Sequence, residues 1–352
     1  MLMRFMRPFL FAAIAASLGV ASVRPGVRAQ EGDGAAGDSA LYRVDAARLR
    51  WTTEDGERVI YLEGGVRIEH QTTTITSVWG KHYPSRRHVM LHDSVRVVDG
   101  TTEMKSDEGE YFGQSNTIVL RGTVRIRDEG WHARCDRATY NRTTRIAVMT
   151  GNLSLADSTR TLYADTIVYD RFRETADARG RVVLSDETED YSIAGAHARY
   201  DRIRRSAVVD VDPVLTFDLH AEERGVVTSR LMHFDVDRRL GIAEGDVRMA
   251  KGETRASCDS AAIYDEEGRI ELYGKPEASN GPTSMSGSRM ILWYGDDAVR
   301  RIVLPAEGRI AESPREGSPW RDDSWIEGDS IAVHLSNERV DSVRIERSAR
   351  AM

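Results

Sequence analysis

The feature that most constrains this chain is an internal repeat with a period of 29 residues. A short phrase, Gly-x-Val-x-Ile in outline, recurs with its apolar residues at positions 66, 95, 124, 153 and 182, and the spacing then loosens to 32, 33 and 29 at Val214, Val247 and Pro276. Self-similarity at a fixed period of this length indicates a stacked, repetitive fold. The clearest copies are Gly65-Val66-Arg67-Ile68, Ser94-Val95-Arg96-Val97, Gly122-Thr123-Val124-Arg125-Ile126, Gly151-Asn152-Leu153-Ser154-Leu155 and Gly180-Arg181-Val182-Val183-Leu184.

A second phrase, Asp-x-Ala-x-Tyr-Asp in outline, stands between successive copies of the first. Together the two phrases divide residues 41–352 into about ten units, and a further division into two modules, about 41–190 and 191–352, stays open. The copies of the second phrase are 107–111, 136–140, 165–170, 196–201, 230–235 and 261–265.

Each unit is predicted to consist of β-strands. Val66-Arg67-Ile68-Glu69 and Val124-Arg125-Ile126-Arg127 alternate apolar and charged residues, which is the period of a half-buried strand. Turn pairs such as Asp99-Gly100 and Glu267-Gly268 separate these segments, and no long window has a helical period. The sequence therefore predicts an all-β, elongated antiparallel solenoid with about four strand segments in each unit.

The two phrases resemble a known family where they are clearest, at Gly122 to Tyr140, Gly151 to Asp170 and Gly245 to Asp265. They are similar to the OstA-like domain of the periplasmic lipopolysaccharide-transport bridge proteins, the family of LptA, LptC and the periplasmic part of LptD. The resemblance implies a β-jellyroll that forms an open, V-shaped trough for the acyl chains of lipid A. It also implies lipopolysaccharide and other jellyroll components at the inner and outer membranes as partners, with head-to-tail assembly.

Alternation along the first phrase places one column of apolar side chains on the inner face, and the resemblance makes this column the candidate lipid-binding groove. Because stacked strands lie about 4.8 Å apart, the column would form a continuous wall. The same pattern fits a closed core, so a structural or adhesive β-solenoid without lipid cargo stays open as the alternative. The candidate groove residues are Val66, Ile68, Val95, Val97, Val124, Ile126, Leu153, Leu155, Val182, Leu184, Phe217, Val247 and Met249.

Two further columns carry polar groups. The aromatic residues of the second phrase are expected to pack at the corner of the trough with their hydroxyls in water. Outward arginines are expected to form cross-strand ladders with Glu and Asp. The aromatic column contains Tyr111, Tyr140, Tyr169, Tyr200, Phe234 and Tyr264, and the arginine column contains Arg67, Arg96, Arg125 and Arg248.

The N-terminal 29 residues have the pattern of a secretory signal peptide. Arg4 and Arg7 precede an uncharged apolar run, Pro8 to Ala21, which is shorter than the roughly 20 residues of a membrane span. Small residues offer cleavage after Ala29 or Ala21, and residues 30–40 are predicted to be a flexible lead-in. The alternative is an uncleaved N-terminal anchor. Export, together with the resemblance, predicts a periplasmic protein.

The sequence predicts no catalysis and no cofactor. His82 and His88 lack the spacing of a metal site, and nucleotide-binding or nucleophile motifs are absent. An enzyme acting on polysaccharide would need carboxylates clustered on adjacent units, whereas the acid pairs Asp296-Asp297 and Asp322-Asp323 have turn-like contexts. The net charge of −7 and the scattered basic residues do not fit a nucleic-acid partner.

The stacked arrangement makes two further predictions. Cys135 and Cys258 lie four units apart, too far for a disulfide within one chain. A stack of strands also leaves an unpaired edge at each end, near Leu41–Trp51 and Val340–Glu346. Unpaired backbone groups template pairing with another chain, which favours head-to-tail self-association. The alternative is a capped monomer whose edge is blunted by the charges of Arg344, Glu346 and Arg347.

Overall fold

The computed structural model describes residues 42–70, 72–128, 130–188, 190–217, 224–295, 298–313, 324–336 and 339–352. The predicted signal peptide at 1–29, both candidate cleavage sites and the lead-in at 30–40 lie outside these residues. The described chain divides into two compact units, 42–179 and 180–352.

The described residues form β-strands throughout, apart from turns and one 3-10 turn at Pro84–Arg86, so the predicted all-β antiparallel fold class is confirmed. No helix in the described part of the chain has the length and apolarity needed to cross a membrane. The strands are β1 Arg43–Glu54, β2 Glu57–His70, β3 Thr73–Tyr83, β4 His88–Asp99, β5 Thr102–Phe112, β6 Thr117–Asp128, β7 Trp131–Asn141, β8 Ile146–Ala156, β9 Arg160–Asp170, β10 Thr175–Asp186, β11 Tyr191–Asp201, β12 Ser206–Asp210, β13 Val214–Phe217, β14 Gly225–Thr228, β15 Leu231–Asp235, β16 Leu240–Lys251, β17 Thr254–Tyr264, β18 Arg269–Tyr273, β19 Glu277–Asn280, β20 Thr283–Ser286, β21 Arg289–Gly295, β22 Ala298–Leu304, β23 Gly308–Glu312, β24 Ser324–Gly328, β25 Ser330–Ser336, β26 Arg339–Glu346 and β27 Arg350–Ala351.

In unit 42–179 the strands follow a simple meander in which each strand from β1 to β8 pairs antiparallel with the next. Every one of these pairings contains a register shift near the middle of the strand. On β6 and β7, for example, Arg121 lies opposite Arg137 and Val124 lies opposite Cys135, so β6 carries one extra residue between these pairs. Such β-bulges bend a strand and increase its twist.

The glycine of the first phrase is the bulge residue. Gly122 and Gly151 have φ values of +94° and +76°, in the left-handed region that glycine adopts without strain. The Asp that opens the second phrase lies against these glycines: a Cβ on Gly122 would approach Asp107 Oδ2 to 2.3 Å, and one on Gly151 would approach Asp136 Oδ2 to 2.5 Å. Asp107 also accepts a hydrogen bond from the Thr123 backbone N–H at 2.8 Å. The two phrases therefore meet at these two bends.

The last Asp of the second phrase shapes the turn that follows it. Asp170 Oδ1 accepts the backbone N–H groups of Phe172 and Arg173, each at 2.9 Å. Asp201 and Asp235 make the same contact with the residue three positions later, at 2.8 and 3.0 Å. An Asp side chain that bonds forward in this way favours a tight turn over strand continuation. The second phrase thus encodes a bend at one end and a turn at the other.

In unit 180–352 the same architecture is broken into shorter strands. The long strand β17 pairs with both β18 and β19, and β18 and β19 stand on either side of the bend segment Gly274-Lys275-Pro276. Gly274 and Lys275 have positive φ values, as at the bends of the first unit. Proline cannot donate to a sheet, which ends the pairing at this point.

The irregular spacing after residue 182 has a local cause. At the bend between β12 and β13 the chain reads Val211-Asp212-Pro213 in place of glycine, and Val211 and Asp212 both have positive φ. Residues 211–213 lie opposite the two residues 195–196 of the neighbouring strand, so the bend contains one extra residue. Beyond this bend Leu215 is buried at 3% exposure, while Val214 is only half-buried. Beyond it the regular pattern resumes with Val247 opposite Cys258, as Val124 lies opposite Cys135.

The close contact at the bends makes a stability prediction. Gly151→Ala should lower the free energy of unfolding by about 1–2 kcal/mol, because the Cβ of alanine is strained in the left-handed backbone conformation. Displacing Asp136 should cost about 1–3 kcal/mol more. Gly130→Ala is the matched control, because Gly130 has φ +77° and an added Cβ would meet no atom within 4 Å. Urea denaturation followed by circular dichroism measures both variants. Equal losses would contradict the contact between Asp136 and the bend.

Candidate functional site: an apolar cleft between two strand walls

The bends of unit 42–179 divide its strands into two walls. Wall A is formed by the strand halves that contain 66–70, 73–77, 95–99, 102–106, 124–128, 131–135 and 153–156. Wall B is formed by the halves that contain 59–63, 79–83, 88–92, 108–112, 117–121, 137–141, 146–150 and 166–170.

Each wall presents a cross-strand row of apolar or small side chains. Such rows bury apolar surface, which is the main source of stability for a sheet of this kind. In wall B large and small residues alternate along the row. The wall A row is Ile68, Ile75, Val97, Met104, Ile126, Ala133 and Leu155, and the wall B row is Leu62, Gly80, Leu91, Gly109, Leu120, Ala138 and Met149.

A cleft opens between the two walls and contains about 710 Å³ of empty volume, part of it open to solvent. Because residues from both halves of the bent strands line one cleft, the two walls face each other. The lining residues are Asp99, Thr102, Met104, Ile126, Asp128 and Trp131 from the wall A side, and Ile118, Leu120, Ala138, Thr139, Tyr140, Ala147, Met149, Tyr169 and Arg171 from the wall B side.

All thirteen groove residues predicted from the sequence are buried side chains. Eleven of them are at most 3% exposed, while Ile126 and Met249, at 7% and 9%, are the most exposed. Ile126 lines the cleft of unit 42–179, and Met249 lines a second cleft in unit 180–352. The predicted column is therefore mainly packed interior, and it borders open space at these two positions.

The prediction missed wall B. Its lining residues Ile118, Leu120 and Met149 precede the bend glycine, whereas only the residues after each glycine were read as groove positions. The signal was present in the sequence, because apolar residues stand two and four positions before Gly122 and Gly151. Only the bend makes these residues face the residues of wall A.

The lips of the cleft are polar. On wall A, Asp128 accepts the hydroxyls of Thr101 and Thr102, both at 2.6 Å, and Asp99 accepts the hydroxyl of Thr72 at 2.8 Å. On wall B, Arg171 donates to the Tyr140 hydroxyl at 3.1 Å. Hence the cleft offers apolar surface inside and hydrogen-bonding groups where the strands end.

Beside the cleft the two walls are joined by a polar bridge. His70 of wall A is 7% exposed, and its Nδ1 accepts the Tyr111 hydroxyl at 2.8 Å and Arg142 Nη1 at 2.9 Å, both from the wall B side. Burial, with a smaller contribution from the charge of Arg142, lowers the pKa of His70 below its usual value. Only the neutral imidazole leaves a lone pair on Nδ1, and the two donors share it.

The aromatic column does not lie at the corner of the trough, so that expectation is wrong. Tyr140 and Tyr169 stand one residue before the ends of β7 and β9, at the lip of the cleft, and the bends lie at the other end of the same half-strands. The Tyr111 hydroxyl reaches buried His70 rather than water. The phrase places its aromatic residue next to the turn, which is the open end of the wall.

The outward arginines also differ from expectation. Arg96 pairs across strands with Glu103 at 2.6 Å, as predicted, while Arg67 pairs with Glu69 of its own strand at 2.7 Å. Arg125, however, lies between Lys105 and Arg134 on the neighbouring strands, and Arg248 lies opposite Ser257. The predicted ladder with Glu and Asp therefore forms only in part.

The described residues contain no cluster of three or more His, Cys, Asp or Glu side chains able to hold a metal ion. Asp296-Asp297 and Asp322-Asp323 lie outside the described residues. Cys135 and Cys258 are both free and buried, and burial raises the pKa of each thiol to about 11. At neutral pH both therefore stay protonated and unreactive.

The second cleft, in unit 180–352, is larger and more polar, with about 1240 Å³ of empty volume that includes open solvent. Apolar Met249 and Met285 contribute to it together with Arg248, Arg255 and Arg309. Four serines also line it, Ser257, Ser279, Ser284 and Ser286. It lacks the uniformly apolar interior of the first cleft.

Comparison with known proteins gives one informative match. Residues 81–175 match the family described as LptA/(LptD N-terminal domain) LPS transport protein, so the family resemblance of the repeat phrases is confirmed over this part of the chain. The solved structure of LptH, the LptA-homologous periplasmic component of the lipopolysaccharide transport device of Pseudomonas aeruginosa, aligns at 7% identity. The alignment covers 41% of this chain and 82% of LptH, with a TM-score of 0.21. No curated protein sequence matches the chain.

The bridge at His70 predicts a pH dependence of stability. Because the folded protein lowers the pKa of His70, the unfolded chain takes up the proton first as the pH falls. Stability should thus be complete above the ordinary histidine pKa of about 6.5 and decline below it. Denaturation midpoints at pH 7.5 and 5.5 should differ less for His70→Gln than for the original chain. Exposed His132→Gln is the control, and an unchanged pH dependence in His70→Gln would refute the bridge.

Proposed function

We propose that this chain, which carries a lipopolysaccharide-transport segment of the LptA/LptD N-terminal type at residues 81–175, shelters the acyl chains of lipopolysaccharide in its apolar cleft. One observation carries the proposal. Every residue that lines the cleft of unit 42–179 lies between Asp99 and Arg171, inside the matched segment. In this arrangement the sugars of the lipid stay in solvent outside the lips.

The physical reason is the transfer of hydrocarbon out of water. Burying apolar surface contributes about 25 cal/mol per Å², so an acyl chain held by Met104, Ile126 and Ala147 is protected during passage between membranes. Methionine side chains suit this task because they are flexible and adapt to different chains. We assign the protein to the periplasm, in agreement with the predicted signal peptide, and its partners to the jellyroll components of the same transport system.

The alternative function, a structural or adhesive β-solenoid without cargo, has its own support. Eleven of the thirteen predicted groove positions are at most 3% exposed, as in a closed core. The two functions differ at Ile126, which lines the cleft, and at Leu155, which is 1% exposed. Both side chains flank Ala133 in the same cross-strand row, so they form a matched pair.

Placing a carboxylate at each position separates the two functions. Ile126→Asp should keep the fold and lose bound lipid, because water reaches the cleft while an acyl chain cannot pack against a charge. Leu155→Asp should lower the free energy of unfolding by about 4 kcal/mol or more. Mass spectrometry of lipid that copurifies from a Gram-negative host, together with thermal melting, measures both effects.

Ile126→Val is the control for the loss of lipid, since it keeps the wall apolar and should retain the cargo. Absence of lipid from the original chain, or global unfolding of Ile126→Asp, would favour the closed solenoid. Unchanged lipid in a folded Ile126→Asp would place the cargo elsewhere.

Head-to-tail association is the second part of the proposed function. Among the described residues β1 pairs with β2 alone and β26 with β25 alone, which leaves one edge of each strand for another chain. Large apolar side chains are exposed on both strands: Leu49 and Trp51 on β1, at 62% and 66%, and Val340 and Val343 on β26, at 56% and 39%. Exposed edges with apolar side chains favour strand addition.

The edge of β1 can be tested directly. Leu49→Lys with Trp51→Lys should hold the protein monomeric, because two cations oppose close strand pairing. Sedimentation velocity of the original chain should show a mass that rises with concentration. The control is Phe172→Lys with Ile203→Lys, which removes two equally exposed apolar residues from turns. A monomeric original chain, or equal association of both variants, would reject this edge as the contact.

A further inference from the structure

The lip of wall A holds a buried hydrogen-bond donor that the protein does not use. Trp131 lines the cleft, is only 7% exposed, and its indole Nε1 has no hydrogen-bond partner among the described residues. An indole N–H can only donate, and a buried donor without an acceptor costs about 1–3 kcal/mol.

The acids nearest to this lip are already engaged. Asp128, which lies opposite Trp131 in the hairpin, uses one carboxylate oxygen for Thr101 and the other for Thr102. Asp99 accepts the hydroxyl of Thr72. Trp131, whose donor is left without a partner among the described residues, therefore borders a cleft whose other wall contributes mainly apolar groups.

The position of Trp131 in the repeat supports a role at the lip. Thr73, Thr102 and Trp131 begin β3, β5 and β7, every second strand, at intervals of 29 residues. The Thr73 hydroxyl is likewise buried and has no partner in the described part of the chain. Two copies of one repeat position thus carry an unused polar group where the strands end.

We propose that the cleft selects acyl chains that carry a carbonyl oxygen, of an ester or an amide, at their polar end, and that the Trp131 indole N–H donates a hydrogen bond to this oxygen. The inference rests on the proposed function and specifies its ligand. The hydrocarbon then lies against the apolar part of the lining, at Met104, Ile126 and Ala147. The same donor discriminates against hydrocarbon without an acceptor, because binding it leaves the N–H buried and unpaired.

The test compares two amphiphiles with similar sugar heads and equal chains, sucrose monododecanoate, an ester, and dodecyl maltoside, an ether, both below their micelle concentrations. One hydrogen bond of about 1 kcal/mol corresponds to about fivefold tighter binding of the ester. Trp131→Phe should bind both equally. Trp79→Phe, which changes a tryptophan outside the cleft whose indole N–H donates to Asp93, should keep the fivefold preference.

A second readout does not depend on the folding of a variant. In protein labelled with ¹⁵N-tryptophan, the ester should shift the Trp131 indole N–H signal downfield and the ether should not. Equal binding of ester and ether by the original chain would overturn this inference and leave the proposed function standing. An ester preference that survives in Trp131→Phe would also overturn it. Failure of both amphiphiles to bind would overturn the inference and the proposed function together.

Discussion

The bend in the middle of each long strand is the constraint on which the rest of the structure depends. A flat antiparallel meander of this length would expose one apolar face to water. An extra residue with positive φ bends the strand, and the carboxylates of Asp107 and Asp136 pack against the bend glycines. Wall A and wall B then bury their apolar rows against each other. Repetition of the bend every 29 residues extends these walls along the chain.

The bends also determine which side chains border open space. Residues close to a bend, such as Val124 and Leu153, are at most 3% exposed because both walls approach each other there. Towards the strand ends the walls separate, and side chains such as Ile126, Tyr140 and Trp131 border open space. A cleft with an apolar interior and polar lips follows from this geometry alone. The same geometry explains why the aromatic residue beside each turn lies at the open end of its wall.

Much of the fold could be predicted, because repeat period, strand alternation and turn chemistry are local properties. The location of the aromatic column, the neighbours of Arg125 and the contribution of wall B to the cleft could not be predicted in this way. Whether Arg125 meets an acid depends on the register that brings Lys105 and Arg134 beside it. Residues Ile118 and Leu120 face Ile126 only because of the bend at Gly122, and no linear pattern states its angle. The thirteen groove residues were identified as inward-facing, but their depth in the wall was not.

The change from an apolar interior to polar lips along each wall determines which molecules fit the cleft. A purely hydrocarbon molecule would satisfy Leu120 and Met149 but leave the Trp131 donor without an acceptor, and a sugar would satisfy the lip but not the interior. An amphiphile places each of its parts in the matching layer. The bridge of His70, Tyr111 and Arg142 joins the walls beside the cleft, so the walls stay aligned whether or not a ligand lies between them. A cleft whose walls are already aligned does not bear the cost of ordering them when a ligand enters.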